Sequence, residues 1–296
     1  MDVSIIIVNY NTKPFLADCL NSIYEQTKDI SFEVIVSDNG STDGSIEMLK
    51  ADFPQVILIE NNANLGFGAA NNRGLAVAKG KYVFYLNSDT ILLNNAVKFF
   101  FDYWEKSPEK DCLGALGSNL LAEDEKTITT SHGCFFNFFG DFKLYVKDWL
   151  CLFKPQENTA QKTEQKFCIG DVDVVIGADL FVRNDEYAVF DEYFFLYHEE
   201  TDLQLRLKNA GKRRMLIEGP KIVHLEGKSN LNTHISYSDY VSFSRIQDRI
   251  SRVKFYKKNG THWYEYRILK LLVLLIWMFP PLFRHTKKYI SQLLRI

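Results

Sequence analysis

The sequence predicts an α/β protein that begins with a parallel, doubly wound sheet of four strands. Four short runs of β-branched or aromatic residues, each closed by polar residues or glycine, are typical of buried strands. They lie at residues 3–8, 33–37, 56–60 and 82–86. Segments with apolar residues at three- to four-residue spacing lie between them, at 13–26, 44–50 and 69–78. Because strand and helix alternate, we expect parallel strand pairing with helices on both faces.

The composition is that of an ordinary globular protein. Of the 296 residues, 46% are apolar and 24% are charged, which argues against disorder. The five cysteines are widely spaced and include no CxxC pair, so we expect neither a zinc cluster nor a disulfide framework, and a reducing compartment. Met1 leads almost directly into an apolar strand without a basic leader, which predicts no secretory signal.

The charge is divided unevenly along the chain. From residue 241 onward there are 12 Lys and Arg but only two acids, whereas the preceding residues hold 23 Lys and Arg and 35 acids. The basic tail contains an apolar run at 268–279, which is shorter than the roughly 20 apolar residues that cross a bilayer. Cations and aromatic rings such as Trp263 and Trp277 favour an interfacial membrane anchor. A helix that closes the core and a dimer interface are the alternatives.

Polar loops follow the predicted strands where a doubly wound sheet binds its ligands, outside the carboxyl ends of the strands. The second strand runs into Ser-Asp-Asn-Gly-Ser-Thr-Asp-Gly-Ser at 37–45. Asp38 is the candidate there for accepting hydrogen bonds from a nucleobase or ribose. Ser41, Thr42 or Asp43 has the alternative use of capping the next helix, which leaves Asp38 free.

The fourth strand ends in Leu-Asn-Ser-Asp-Thr at 86–90, which places Asp89 near the phosphates of a nucleotide whose base is held by Asp38. Mn²⁺ and Mg²⁺ prefer oxygen ligands and bridge diphosphate to protein through one or two carboxylates, so Asp89 is a candidate metal ligand. An isolated Asp after a strand also commonly caps a helix or turn. His224 ends a short apolar run, and a ligand role there requires Asp89 to be close. Further candidates for the nucleotide site lie in the same loops or just beyond them, namely Asn9, Asn11, Gly66, Asn71 and Ser88.

An acidic group stands at or near the start of a predicted helix, whose apolar spacing begins at Thr201. It comprises Glu199, Glu200 and Asp202. Acids in a first helical turn are favoured by about 0.3–1 kcal/mol, so they need no chemical role. Three carboxylates beside an aromatic run also repel one another and are partly desolvated, which suits a general base. Both interpretations remain open on this segment alone.

The motifs in their order resemble family 2 glycosyltransferases, particularly the bacterial rhamnosyltransferase-like branch, over about residues 3–230. The segments that carry the resemblance are VSIIIVNYN, VIVSDNGSTDGS, NLGFGAANNRG, YLNSDT, GAD, FDEYFFLYHEETDLQLRLKNAGKR and IVHLEG. The resemblance implies a GT-A type, Rossmann-like fold for transfer from nucleotide-diphospho-sugars. It implies a nucleotide-binding half at about 1–95 and an acceptor-binding half at about 96–230, followed by a basic, mainly helical tail at 231–296.

The resemblance also implies roles for individual residues. Asp38 takes the place of the aspartate that binds the nucleobase, and Asn87 to Asp89 take the place of the DxD motif, with Asn87 departing from its first acid. Asp89 and His224 are the implied metal ligands. In the acidic motif Glu200 is the implied base and Glu199 the second choice, while Asp202 lies on the acceptor side.

These implications describe an inverting, metal-dependent enzyme of cell-surface polysaccharide or O-antigen biosynthesis. The branch implies dTDP-rhamnose as donor, with UDP-hexoses open. The basic, apolar tail predicts a lipid-linked glycan acceptor at the cytoplasmic face of the membrane. A catalytically silent nucleotide-sugar-binding scaffold is the alternative, which loss of Asp89 or of the glutamate pair would favour. A dehydrogenase would carry GxGxxG after the first strand, where residues 9–12 read Asn-Tyr-Asn-Thr. The acidic body argues against nucleic-acid binding.

Overall fold

The computed structural model describes residues 1–153, 165–225 and 242–296. These residues form two compact units. The α/β unit contains residues 1–134, 165–192 and 199–225, and the helical unit contains residues 135–153, 193–198 and 242–296. The predicted boundary between residues 230 and 231 lies outside the described residues, as does nearly all of the polar segment 154–166, which the sequence predicts to be a lid or an exposed loop.

Twelve strands and nine helices lie within the described residues. The strands are β1 (Val3–Asn9), β2 (Phe32–Asp38), β3 (Ile57–Glu60), β4 (Tyr82–Asn87), β5 (Thr90–Leu92), β6 (Leu113–Gly117), β7 (His132–Gly133), β8 (Gly170–Asp171), β9 (Val174–Val175), β10 (Asp179–Arg183), β11 (Arg213–Leu216) and β12 (Ile222–His224). The helices are α1 (Lys13–Gln26), α2 (Ser45–Asp52), α3 (Phe67–Leu75), α4 (Ala96–Lys106), α5 (Phe138–Cys151), α6 (Glu199–Asn209), α7 (Phe243–Asn259), α8 (Glu265–Trp277) and α9 (Pro280–Leu294).

The α/β unit is built on an eight-stranded sheet with the order β3-β2-β1-β4-β10-β6-β11-β8. The pairs β1–β2, β1–β4 and β2–β3 are parallel, so the predicted parallel half is confirmed. Strand β10 runs antiparallel between β4 and β6. The prediction of four buried strands is wrong for β3, which is only partly buried because it lies at the sheet edge and pairs with β2 alone.

Two apolar layers cover the faces of this sheet. Side chains alternate along a strand, so Ile5 of β1 joins a cluster with residues of α1 and α4, whereas Ile6 joins a cluster with residues of α6 on the other face. Helix α3 lies close to β1, because a Cβ on Gly74 would stand 2.5 Å from Cγ2 of Ile6. These layers leave the polar loops at the strand ends as the accessible part of the sheet edge.

The helical unit consists of α5, α7, α8 and α9 around a separate apolar core. Ile250 and Val253 of α7 and Leu269, Val273 and Trp277 of α8 are almost fully buried in it. The predicted helical character of the tail is confirmed by the three helices within 242–296, and α5 joins them from an earlier part of the sequence. Among the described residues, every helix is too short or too polar to cross a membrane.

Candidate active site

The turn after β2 is organised by Asp38. Its side chain is fully buried, and Oδ1 accepts hydrogen bonds from the backbone N–H groups of Gly40 and Ser41, at 3.0 and 2.8 Å. Gly40 has a φ of +78°, and a Cβ there would stand 2.9 Å from the backbone nitrogen of Ala63, so this position requires glycine. The carboxylate therefore shapes the turn, and its role toward a nucleobase stays a prediction.

A hydrogen-bonded chain joins the ends of β1, β2 and β4. The side-chain amide of Asn9 donates to Oδ2 of Asp38 at 2.7 Å and to Oγ of Ser41 at 2.9 Å. The Thr12 hydroxyl donates to Oδ1 of Asn9 at 2.7 Å and lies 2.9 Å from the Ser88 hydroxyl. Three of the predicted nucleotide-site residues, Asn9, Asp38 and Ser88, thus lie together at one edge of the sheet.

The remaining predicted nucleotide-site residues differ in position. Asn11 has a φ of +55° and accepts the Thr42 N–H through its Oδ1 at 2.8 Å, so it belongs to the same edge. The Gly66 carbonyl accepts a bond from the Asn39 amide at 3.1 Å, which ties the loop after β3 to the turn after β2. Asn71 is 1% exposed and donates to a carbonyl one turn earlier in α3, so its role toward a nucleotide stays a prediction.

The loop after β4 meets a strand from much later in the chain. Strand β12 pairs antiparallel with β5, with His224 opposite Thr90, and the Leu225 N–H donates to the Asp89 carbonyl at 3.0 Å. This pairing places Nε2 of His224 3.4 Å from Oδ1 of Asp89 and 3.5 Å from Nδ2 of Asn87. Asp89 and His224 are therefore close enough to bind one metal ion together.

The chemistry of this pair fits a hard divalent cation that is shared with a substrate. The side chains of Asp89 and His224 are only 12% and 11% exposed, and one oxygen and one imidazole nitrogen converge. In the parts of the chain that the structure describes, no cluster of three or more His, Cys, Asp or Glu residues could hold a metal. Mg²⁺ is usually held by one or two carboxylates plus substrate phosphates and water, which this pair allows.

The acidic group lies in the first turn of α6, which begins at Glu199 rather than at the predicted Thr201. Glu199 is 2% exposed and packs on α3, since a Cβ on Gly68 would stand 3.6 Å from its Cβ. Glu200 is partly exposed and packs over Gly177, where a Cβ would again stand 3.6 Å away. Of these two glutamates, Glu200 is the more accessible to an acceptor.

The third acid, Asp202, is buried and paired within its own helix. Asp202 is fully buried, and its Oδ2 lies 3.4 Å from Nε of Arg206, one turn further along α6. An ion pair of this kind holds the helix together internally. The predicted acceptor-side role of Asp202 therefore stays a prediction, and direct contact with an acceptor would require this buried carboxylate to become accessible.

Gln204 is a supporting residue that the sequence patterns did not predict. This fully buried side chain accepts the Val175 N–H at 2.7 Å and donates to the Val175 carbonyl at 2.7 Å and to the Glu200 carbonyl at 3.2 Å. The side-chain amide thereby makes the two backbone hydrogen bonds that a neighbouring strand would make, and it fixes the first turn of α6 to β9. The sequence feature that could have indicated this role is the position of the glutamine between Leu203 and Leu207, in a helix that must bury one side.

Asp179, within the GAD segment, is a second buried polar residue beside the site. Its Oδ2 accepts both the N–H and the hydroxyl of Ser118 at 2.7 Å, and it lies opposite Leu86 in the β4–β10 register. Burial raises the pKa of Asp179 to about 7, although the Ser118 hydrogen bonds oppose this shift. The preceding carbonyl, of Ala178, accepts the Asn87 N–H at 3.0 Å, so the residue before β10 supports the start of the loop after β4.

We expect Gln204→Met to lower the free energy of unfolding by about 2 kcal/mol or more, because the Val175 N–H and carbonyl lose their partner in a buried place. Urea denaturation measures the change. Leu203→Met is the matched control, since a volume-conserving apolar exchange in the same helix costs less than about 1.5 kcal/mol. Equal stability of the Gln204→Met variant and the wild type would contradict this role of the glutamine.

Solved structures share this architecture. Mannosyltransferase PcManGT from Pyrobaculum calidifontis, solved with GDP-Man and Mn²⁺, matches 98% of this chain and 75% of its own, with a TM-score of 0.53 and 17% identity. Residues 1–349 of S. aureus TarS, solved with UDP-GlcNAc, match 94% of this chain and 73% of that chain, with a TM-score of 0.52 and 16% identity. The likeness confirms the predicted GT-A fold.

The fold alone does not define the activity, but the family profile does. The profile of Glycosyl transferase family 2 matches residues 4–185, more than half of the chain. The chain belongs to this family, and the match includes Asp38, Asp89 and Asp179 but ends before α6 and β12. The family predicted from the motifs is thereby confirmed.

Curated relatives are glycosyltransferases as well. The poly(ribitol-phosphate) beta-glucosyltransferase of Bacillus spizizenii is 31% identical over 121 residues, 39% of this chain and 19% of that protein. The UDP-Glc:alpha-D-GlcNAc-diphosphoundecaprenol beta-1,3-glucosyltransferase WfaP of Escherichia coli is 35% identical over 120 residues, 37% of this chain and 47% of that protein. The match thus spans less than half the length of each relative. Neither name is that of a rhamnosyltransferase, so the branch stays a prediction.

Proposed function

We propose that this glycosyltransferase is inverting and metal-dependent, and that it transfers a sugar from a nucleotide-diphosphate donor to a glycan in cell-surface polysaccharide biosynthesis. The observation that carries the proposal is the pair of Asp89 and His224, 3.4 Å apart at the end of β4. In an open α/β sheet this edge is where a bound nucleotide lies. The other proposed residues lie at the same edge or at the start of α6.

The donor is proposed to bind across the ends of β1, β2 and β4. The turn of Asp38 receives the base. The hydroxyls of Thr12 and Ser88 offer hydrogen bonds to the part of the donor that lies between the base and the loop after β4. Two similar proteins were solved with UDP-GlcNAc and with GDP-Man, which supports a nucleotide sugar as donor. We propose dTDP-rhamnose from the motif resemblance, with UDP-glucose as the next candidate because a relative's name contains UDP-Glc.

Asp89 and His224 are the residues proposed to hold Mn²⁺ or Mg²⁺. When bound, such a cation neutralises the negative charge that develops on the departing diphosphate. The similar mannosyltransferase was solved with Mn²⁺, which supports this choice. Asn87, in place of an acid, removes one negative charge from the loop and contributes an uncharged amide near His224.

Glu200 is proposed to act as the general base. It accepts the proton of the acceptor hydroxyl while that oxygen forms a bond to the anomeric carbon and the bond from this carbon to the diphosphate breaks. Attack on the face opposite the nucleotide inverts the anomeric centre. Glu199 is the second choice, because its side chain is buried against α3 and must become accessible before it can meet an acceptor.

The acceptor is proposed to be a lipid-linked glycan at the cytoplasmic face of a membrane. The name of the similar E. coli enzyme includes a diphosphoundecaprenol acceptor, which supports a lipid carrier. The excess of cations after residue 240 supports contact with an anionic membrane surface, to which basic segments are attracted.

Thermal unfolding with a panel of nucleotide sugars, with and without Mn²⁺, tests the proposal. A donor at one hundred times its Kd adds about 2.7 kcal/mol of stability, so we expect a clear rise in Tm with one donor only. The rise should require Mn²⁺, and the same donor should be consumed when acceptor is added. A folded protein that responds to none of the donors would overturn the proposal, whereas stabilisation by a donor that is never consumed would favour the silent scaffold.

A further inference from the structure

Two neighbouring helices of the helical unit run side by side in the same direction. At one end the ring centroids of Phe138 and Tyr264 are 6.2 Å apart, and at the other those of Phe153 and Phe279 are 5.4 Å apart. The first ring of each pair belongs to the α5 segment and the second to the α8 segment, and both segments advance from one contact to the other. Helices α5 and α8 therefore pack together along their length.

Helix α8 is apolar on its outer side as well as its inner side. Leu269 and Val273 are fully buried, whereas Leu271, Leu275 and Met278 are 58%, 43% and 61% exposed. These three follow one another at spacings of four and three residues, so they form one stripe along the helix and its C-terminal cap. A helix that faces water normally carries polar residues on that stripe.

Helix α5 adds a second set of exposed apolar side chains. Phe139, Leu150 and the following Phe153 are 71%, 55% and 59% exposed. We call the six residues the docking face: Phe139, Leu150, Phe153, Leu271, Leu275 and Met278. Exposed apolar side chains gathered on two packed helices are typical of a binding surface for a protein or a membrane.

The exposed charged side chains of helices α5, α8 and α9 have one sign. On α5, α8 and α9, which the structure describes completely, the exposed charged side chains are six Lys and Arg residues and no acid. The three acids of these helices are occupied: Asp141 is buried and paired with Arg252, Asp148 lies 2.8 Å from Arg249, and Glu265 is buried. The exposed charge of these three helices therefore favours an anionic partner.

An aromatic residue marks the beginning of α8. Trp263 is 69% exposed, and the guanidinium carbon of Arg267 lies 4.8 Å from the centre of its ring. Tryptophan is enriched where apolar and aqueous phases meet, and arginine binds phosphate groups through two parallel hydrogen bonds. This pair suits a phosphate headgroup layer above an apolar phase.

We infer that the docking face binds the surface of an anionic phospholipid bilayer, with α5 and α8 lying in the interface. Helix α8 has 13 residues and is about 20 Å long, less than the roughly 30 Å hydrocarbon core, so it lies in the interface instead of crossing. A second copy of the chain is disfavoured because a two-fold interface would bring this acid-free surface against itself. The inference deepens the membrane contact proposed above, on which it rests, by adding α5 to the tail.

Sedimentation with vesicles tests the inference on the full chain. The vesicles contain either phosphatidylcholine alone or phosphatidylcholine with phosphatidylglycerol as about one third of the lipid. We expect binding to the anionic vesicles only. Leu150→Glu on α5 and Leu275→Glu on α8 should each weaken it about tenfold or more, since each replaces an inserted apolar side chain by an anion. Val77→Glu is the matched control, because Val77 is 42% exposed on the α/β unit.

Besides a failure of the wild type to bind anionic vesicles, three results would overturn the inference. They are unchanged vesicle binding by Leu150→Glu, equal binding to both kinds of vesicle, and a dimer of the wild type that both docking-face variants dissociate. Donor-dependent thermal stabilisation, measured on the same variants, separates this inference from the proposed function. If a donor stabilises the protein but the protein does not bind vesicles, the membrane inference is wrong and the proposed function stands. If the protein binds vesicles but responds to no donor, the proposed sugar transfer is wrong and the membrane inference stands.

Discussion

Glu200→Gln is expected to lower kcat by about 10³-fold while leaving donor binding unchanged. Glutamine keeps the size of the side chain but cannot accept the proton of the acceptor hydroxyl, and a positioned general base contributes about 10²–10⁴-fold. Glu200 packs over Gly177 at the start of α6, where the backbone is held through Gln204, so an amide leaves the helix in place. Initial rates at saturating donor and acceptor measure kcat, and the Tm shift with donor measures binding.

Glu199→Gln is the matched control for this prediction. The same chemical change is made one residue earlier, on a side chain that is 2% exposed and packs on α3. We expect this variant to retain most of its kcat. If Glu199→Gln abolishes transfer and Glu200→Gln does not, the base is Glu199 and the second choice replaces the first. If neither variant loses activity, the base is neither of these two glutamates.

Asp89→Asn is expected to remove the Mn²⁺ dependence of donor binding and to lower kcat/KM by at least about 100-fold. Loss of an outer-shell partner of a metal ligand already costs about 10–100-fold in affinity or activity, and loss of a ligand's charge costs more. The exchange preserves the shape of the loop, whose backbone is held by the Leu225 N–H on the Asp89 carbonyl. Tm shifts with donor across a Mn²⁺ titration measure the effect.

Asp43→Asn supplies the control for a lost negative charge on a nearby loop. Asp43 accepts the Ser45 N–H at 3.1 Å through Oδ1 and the Lys13 N–H at 2.8 Å through Oδ2, so asparagine keeps one of these two bonds and loses the other. We expect this variant to keep the Mn²⁺-dependent shift. A shift that survives in Asp89→Asn but is lost in His224→Gln would leave the histidine as the main ligand and contradict the role given to Asp89.

Local patterns predict the nucleotide half of the fold closely. Strands β1, β2 and β4 and helix α1 agree with the sequence prediction to within one residue at each end, because each has a clear apolar period closed by a polar loop. Helices α3 and α6 each begin two residues earlier than predicted. The ends of helices depend on capping and packing that apolar spacing does not encode.

The site is partly predictable for the same reason. In a parallel sheet the loops at the carboxyl ends meet, so Asn9, Asp38 and Ser88 are expected together and lie together. The pairing of Gln204 with β9 gives no periodic signal, since a single glutamine on a helix is usually exposed. The sequence of the predicted acceptor half likewise contains no pattern that predicts the exposed apolar side of α5 or its packing beside α8.

The sequence by itself determined the α/β class, the family and the order of the polar loops, because strand and helix periods and turn residues act within a few positions of one another. Only the tertiary structure decided that His224 meets the loop of Asn87 and Asp89, since Asn87 and His224 are 137 positions apart in the sequence. That contact depends on the β5–β12 pairing, and long-range strand pairing is selected by the packing of the whole sheet. The packing of α5 against α8 was likewise decided by the tertiary structure, because it depends on the shape of the apolar core around α8.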